Sequence, residues 1–239
     1  MKLDFKIPSA DELFNLNQTE QSELFHEVRQ PWDVLPRIEE YLSTNLRPEQ
    51  NGQVHNQAVI QGDVYIGEGS VIDAGALICG PVRIGRNCRI GHGAVLRKNV
   101  VVGDDCGIGH AVELKNSLLF NGCKVAHFNY VGDSVLGTKV HLGAGVILSN
   151  YRLIRGNVSV RLEGRKIETG MHKLGALIGD RTEIGCNTVL QPGTIIGQDC
   201  VLYPNINFGG VLPANRLVKN KNELEVVPRQ EDGKIRSIN

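Results

Sequence analysis

With 239 residues, the chain is long enough for one domain with a large core plus an appendage. Lys+Arg and Asp+Glu are both 26, so the formal net charge is zero and gives no support for a nucleic-acid partner. No apolar run is long enough to span a bilayer, and MKLDFKIPSADE lacks a secretion signal's apolar core. A cytoplasmic protein with no membrane partner is therefore expected.

Residues 1–50 have no obvious period. Ser9 with Glu12 three residues on fits a capping box opening a short helix. TEQSELFHEV and PRIEEYLSTN also read as helical, punctuated by Pro31 and Pro36. This segment is expected to be a small helical N-terminal cap or an oligomer contact. It is too short for a nucleotide-binding Rossmann domain and has no Gly-rich phosphate loop. RPEQNG is the hinge into the repeating part of the chain.

From Val54 the chain repeats every six residues: IGEGSV, IDAGAL, ICGPVR, IGRNCR, IGHGAV, LRKNVV. The first residue of each hexad runs Val54, Ile60, Ile66, Ile72, Ile78, Ile84, Ile90, Leu96, Val102, Ile108, Leu114, Phe120, and none is polar. The fifth is small or aliphatic, as in Ala58, Ser70, Ala76, Cys88, Ala94 and Cys106. Such a period predicts a parallel β-helix, all-β, over residues 51–213. Each hexad is a short strand and a turn; the first residue points inward, and the small fifth leaves room at the corner. Three hexads close a triangular coil, so residues 18 apart stack.

The rhythm breaks at residues 148–177, where VSVRL and RKIET alternate around Glu163-Gly164 and predict an inserted hairpin. A functional loop and a subunit clasp are both open for it. The hexads resume from Ile178, and residues 214–239 form a polar C-terminal tail. None of the six cysteines makes a CxxC pair, so free thiols and no zinc site are expected.

Places where a chain violates its own rule are candidates for function. The second hexad position is cationic at Arg97 and Lys115, which should stack on one edge; two readings are open, a site for an anion, either a carboxylate or a phosphate ligand, and two solvated surface charges. His127, in KVAHFNYVGD, falls on a different edge, so a neighbouring subunit is needed to unite it with the two cations. Its imidazole suits a general base, although a lone histidine is more often structural. His92 and His110 also stack, and read as surface imidazoles rather than metal ligands.

The segments ELKNS, HFNYVGDS and LGAG…NY resemble the acetyltransferase domain of the bifunctional N-acetylglucosamine-1-phosphate uridyltransferase/glucosamine-1-phosphate N-acetyltransferases, from about Ile90 to Tyr151. HKLGALIGDRTEIGCNTVLQPGTIIG continues the likeness. The resemblance implies a left-handed β-helix, a homotrimer and acetyl-CoA as co-substrate. It implies His127 as catalytic base, and Arg97, Lys115, Tyr130, Asn150 and Tyr151 as the substrate-binding set. It also places Ala144, Cys186 and, more loosely, Arg216 at the coenzyme.

Departures are His141 for the usual asparagine, and Arg152 with the hairpin for an acidic, lysine-bearing loop. For the lysine expected there, Lys166 and Lys173 are candidates. The uridyltransferase half has no counterpart, so no uridyltransferase activity is expected. The leading expectation is an acetyl-CoA-dependent N-acetyltransferase acting on an amino-sugar phosphate such as glucosamine-1-phosphate. The alternatives are a UDP-sugar N-acyltransferase of lipid A type and a non-catalytic β-helical scaffold.

Overall fold

The computed structural model describes residues 6–221, so most of the tail lies outside the described residues. Successive short strands feed three parallel sheets of nine, nine and eight strands. The first sheet opens with Glu49–Gln50, the second with Gln53–Val54 and the third with Val59–Gln61. In the early coils, Ile60 pairs with Ile78 and Ile72 with Ile90, the expected 18-residue step. The architecture is the all-β, left-handed parallel β-helix of the hexapeptide class. Its strands continue past Pro213, because Leu217–Val218 still pairs with Val201–Leu202.

The hexad's logic is visible in the core. Ile66, Ile72, Ile78, Ile84, Ile90 and Leu96 are all buried in one column-built cluster with Ala76, Cys88, Ala94 and Cys106. Each such large side chain contributes roughly 1.5–3 kcal/mol by leaving water. All six cysteines are free. Cys88 and Cys106 donate to the carbonyls of Gly103 (3.0 Å) and Phe120 (3.2 Å). The neighbouring Cys106 thiol and burial push the Cys88 thiol far up, which leaves it inert.

Phe120 corrects one expectation. The coil loses a residue at Lys115–Ser117, so Val100 pairs with Ser117, 17 residues on. A one-residue slip exchanges the faces of a strand. Leu119 therefore fills the inner core, and Phe120 points outward. There it is fully buried against Phe14 and Phe25, with ring centroids 5.3 and 5.8 Å away.

The outer face of the first sheet is itself apolar: Val101, Leu118, Phe120, Val135, Leu177 and Ile195. Two segments cover it. The N-terminal cap lays down Leu13, Phe14, Trp32, Leu35, Ile38 and Leu42. The inserted hairpin, Ser159–Leu162 against Arg165–Glu168, adds Val158, Val160 and Leu174. Glu163 and Gly164 both have positive φ, as a tight hairpin turn requires.

Within the cap, helices form at Ala10–Leu13, where Glu12 accepts from the Ser9 N–H at 2.9 Å, and at Arg37–Asn45. TEQSELFHEV yields only a 3-10 turn at Ser22–Phe25, ended by Glu27 in the left-handed region. The buried Asp180 carboxylate clamps the cap to the coil, accepting from the N–H groups of Asn15 and Thr138, both at 2.8 Å.

The second sheet is different. Its outward residues Arg89, Lys124, His141 and Glu183 are exposed. Among the described residues no helix is long and apolar enough to cross a membrane.

Candidate functional site

Two corners of the prism carry the rule-breaking residues. One joins the second sheet to the third. Register stacks His92, His110, His127, Ala144 and Cys186 there, each two residues beyond a paired core position: Ile90, Ile108, Val125, Leu142 and Ile184. The His92 and His110 rings are stacked, 5.5 Å apart and 3° from parallel. Their Nδ1 atoms face the carbonyls of Ala74 (2.6 Å) and His92 (2.8 Å), and since a carbonyl can only accept, each Nδ1 carries the proton. Among the described residues no group of three His, Cys, Asp or Glu is placed to hold a metal ion.

His127 is exposed, and its ring makes no hydrogen bond with the described residues. Beside it a cleft of about 470 Å³ opens on the second sheet, lined by Arg89, His92, His110, Lys124 and His127. Gly107 belongs to the same lining: it occupies an outward position between Arg89 and Lys124, where a side chain would press on the Lys124 stem.

The other corner joins the third sheet to the first. Arg97 and Lys115 stack there, as expected, and each meets a carboxylate. Arg97 Nη1 lies 3.0 Å from Glu113, and Lys115 Nζ 3.4 Å from Asp133. Asp133 organises the rest: Asn116 Nδ2 donates to one oxygen at 2.8 Å and Asn150 Nδ2 to the other at 2.5 Å. Asn150 Nδ2 also reaches the Tyr130 hydroxyl at 3.1 Å. Burial raises the pKa of that hydroxyl. Lys115, Tyr130 and Asn150 thus form one network, with Arg97 stacked beside it.

Asp133 and Glu113 escaped the sequence reading. Asp133 sits one residue beyond Gly132, the strand partner of Lys115, because the coil step here is 17 residues and not 18. Tyr151 continues from Asn150 and stands edge-on to His172, 5.2 Å between centroids. The Leu174 N–H bonds the Asn150 carbonyl at 3.0 Å, which brings Lys173 to this corner, whereas Lys166 stays out on the hairpin. Arg152 donates to the Asn157 carbonyl and shapes its own loop. Arg216 lies apart from Ala144 and Cys186, at the start of a second-sheet strand, donating to the carbonyls of Ala214 and Asn215. His141 is exposed on the second-sheet face beside Lys124.

Residues 78–164 match the GMPPB C-terminal domain, and residues 175–206 match the hexapeptide repeat of succinyl-transferase. The chain is 37% identical over 179 residues to the uncharacterized acetyltransferase YaiX of Escherichia coli strain K12, covering 74% of this chain and 77% of that one. It therefore belongs to the hexapeptide-repeat acyltransferase family. It is 39% identical over 215 residues to a bifunctional protein GlmU of Methanococcus maripaludis, covering 90% of this chain and 52% of that protein. A bifunctional sugar-1-phosphate nucleotidylyltransferase/acetyltransferase of Sulfurisphaera tokodaii is 36% identical over 179 residues, 74% of this chain and 44% of that one. The chain spans about half the length of these two relatives. Among solved structures, a UDP-N-acetylglucosamine acyltransferase from Campylobacter jejuni superposes with a TM-score of 0.44 at 16% identity, over 67% of this chain and 69% of that one.

Proposed function

We propose that the protein is an acetyl-CoA-dependent N-acetyltransferase whose acceptor is an amino-sugar phosphate, with glucosamine-1-phosphate as the first candidate. The observation that carries this reading is the register of the histidine corner. His127, Ala144 and Cys186 fall in one line along the coil axis, a track long enough for an extended donor to lie beside the base. The acceptor set of Arg97, Lys115, Tyr130 and Asn150 is on the other corner, so a complete site takes one corner from each of two copies in a homotrimer. The cap and hairpin cover the first sheet and leave the second-sheet face open for that contact.

The chemistry is a direct transfer. His127 takes a proton from the sugar ammonium, and the freed amine attacks the thioester carbonyl. The N–C bond forms and the C–S bond breaks. After the attack the nitrogen sheds a second proton to solvent, and the imidazolium returns the first to the departing CoA thiolate, so the thiol and water together receive the two protons the ammonium loses. The Ala144 N–H makes no hydrogen bond among the described residues and is available to the oxyanion. The phosphate is received by Arg97, half-exposed, and by Lys115, whose ammonium has donors to spare beyond its long contact to Asp133.

The reading is tested by thiol release from acetyl-CoA with glucosamine-1-phosphate as acceptor. Turnover lost in His127→Ala supports it. A folded trimer that releases no thiol with this acceptor, with UDP-linked amino sugars or with longer acyl donors overturns it in favour of a scaffold.

A further inference from the structure

The residue after His127 breaks a rule of its own. Register defines a column of left-handed corner residues between the second and third sheets: Gly75, Gly93, Ala111, Phe128, Gly145, Asn187 and Asn205. Five of the seven are glycine or asparagine, which reach positive φ at least cost, and Ala111 is small. Phe128 alone is bulky, with φ of 57°. Its ring is also 60% exposed, so neither backbone preference nor core burial accounts for it. Long side chains take the same backbone at other corners, at Lys139 and Arg181, but within this column Phe128 is the exception, and such an outlier motivates a search for its use.

The ring's position shows the use. It stands edge-on to His110, with centroids 5.1 Å apart at 85°. It also lies 6.5 Å from His127 at 61°. It thus neighbours both imidazoles, the one in its own coil and the one in the coil before. Register puts the coils of Ala144 and Cys186 on the other side of His127 from the coil of His110. With no hydrogen bond to orient it, the His127 ring has the Phe128 edge as its aromatic neighbour.

We propose that Phe128 is a positioning residue for His127. Its ring is held out over the corner by a left-handed backbone, blocks the imidazole on the His110 side and turns its free face toward the Ala144–Cys186 track. The inference rests on the acetyl-transfer reading for its consequence in turnover, but not for its effect on the imidazole.

The experiment therefore has two arms, on Phe128→Gly and Phe128→Tyr. In the first, diethylpyrocarbonate modification of His127 is monitored by peptide mass without any substrate, together with the thermal midpoint. Phe128→Gly is expected to raise the modification rate several-fold while the midpoint stays or rises, because glycine is at ease at positive φ. Phe128→Tyr should match the wild type. In the second arm, Phe128→Gly should lower kcat roughly tenfold to a hundredfold, the cost of a misplaced base, with KM for both substrates little changed and Tyr restoring kcat. A fall in midpoint that tracks the loss of kcat would reduce Phe128 to a fold residue and overturn the proposal. So would wild-type modification kinetics in Phe128→Gly. If the wild type transfers no acetyl group, the acetyl-transfer reading fails and the modification arm still decides the role of Phe128.

Discussion

The first and second sheets are built from the same hexads and bury the same kind of inner residue, yet their outer faces have opposite fates. Outside the first sheet stand Val101, Leu118, Phe120, Val135, Leu177 and Ile195, roofed by the cap and the hairpin. Outside the second stand Arg89, Gly107, Lys124, His141 and Glu183, bordered by the cleft and the histidine column. The inward residues make a coil that could be any member of this fold; the outward residues separate a roofed side from an open one, the side on which the proposed function places the ligand. If that division is right, substitutions on the two sides should separate stability from turnover.

The largest effect is expected at His127. His127→Ala should lower kcat by roughly 10²–10⁴-fold, the usual contribution of a general base, with an unchanged urea midpoint. The mirror image is Phe120→Ala. Its ring is fully buried beneath Phe14 and Phe25, so about 3–5 kcal/mol of stability should be lost, read from urea unfolding. Below the midpoint its kcat should stay near the wild-type value. A Phe120→Ala protein that remains folded but loses kcat would break the division between the sheets.

The coil was legible because its signal is repeated: a dozen apolar hexad starts leave little choice of inward face. The hairpin was legible from its alternation about Glu163-Gly164. Phe120 was misread because a single missing residue at Lys115–Ser117 is invisible to a count by six, yet flips the strand. The stacking of Arg97 on Lys115 and of His92 on His110 came from spacing, as did the separation of His127 from the cations. Asp133 and Glu113 were missed because acidic residues are ordinary in these turns; only three-dimensional register shows that they face cations. Phe128 was passed over for a related reason, since its φ is a property of the coil corner and not of the residue.

The cation corner grades the comparison more finely. Lys115 is mostly buried, with 18% of its side chain exposed, whereas Arg97 is 51% exposed. Lys115→Met should raise KM for a phosphorylated acceptor roughly tenfold and leave KM for acetyl-CoA alone, because a largely desolvated cation interacts more strongly. Arg97→Met should raise it only a few-fold, and the effect should fade at high salt, as screening of an exposed charge requires. Equal and salt-independent effects at both positions would remove the graded phosphate site and leave two structural ion pairs.

The smallest effect on turnover is expected at the clamp between cap and coil. Asp180 is fully buried and satisfies the N–H groups of Asn15 and Thr138. In Asp180→Asn the amide must face one of those N–H groups, and about 1–2 kcal/mol should be lost at neutral pH. Burial holds the Asp180 carboxyl above its ordinary value, even against the two backbone hydrogen bonds. A raised value in the folded protein means that the fold binds this proton more tightly than the unfolded chain does. Stability from Asp180 is therefore fully present below the unfolded carboxylate value and is lost as pH rises through the folded one. Urea midpoints taken across that acid window should decline with rising pH in the wild type more than in Asp180→Asn. Turnover per folded molecule should be the same in both, since the clamp lies under the roofed sheet. A kcat that falls with the clamp would mean that the cap reaches the catalytic corners after all, and that the two faces of this coil are coupled.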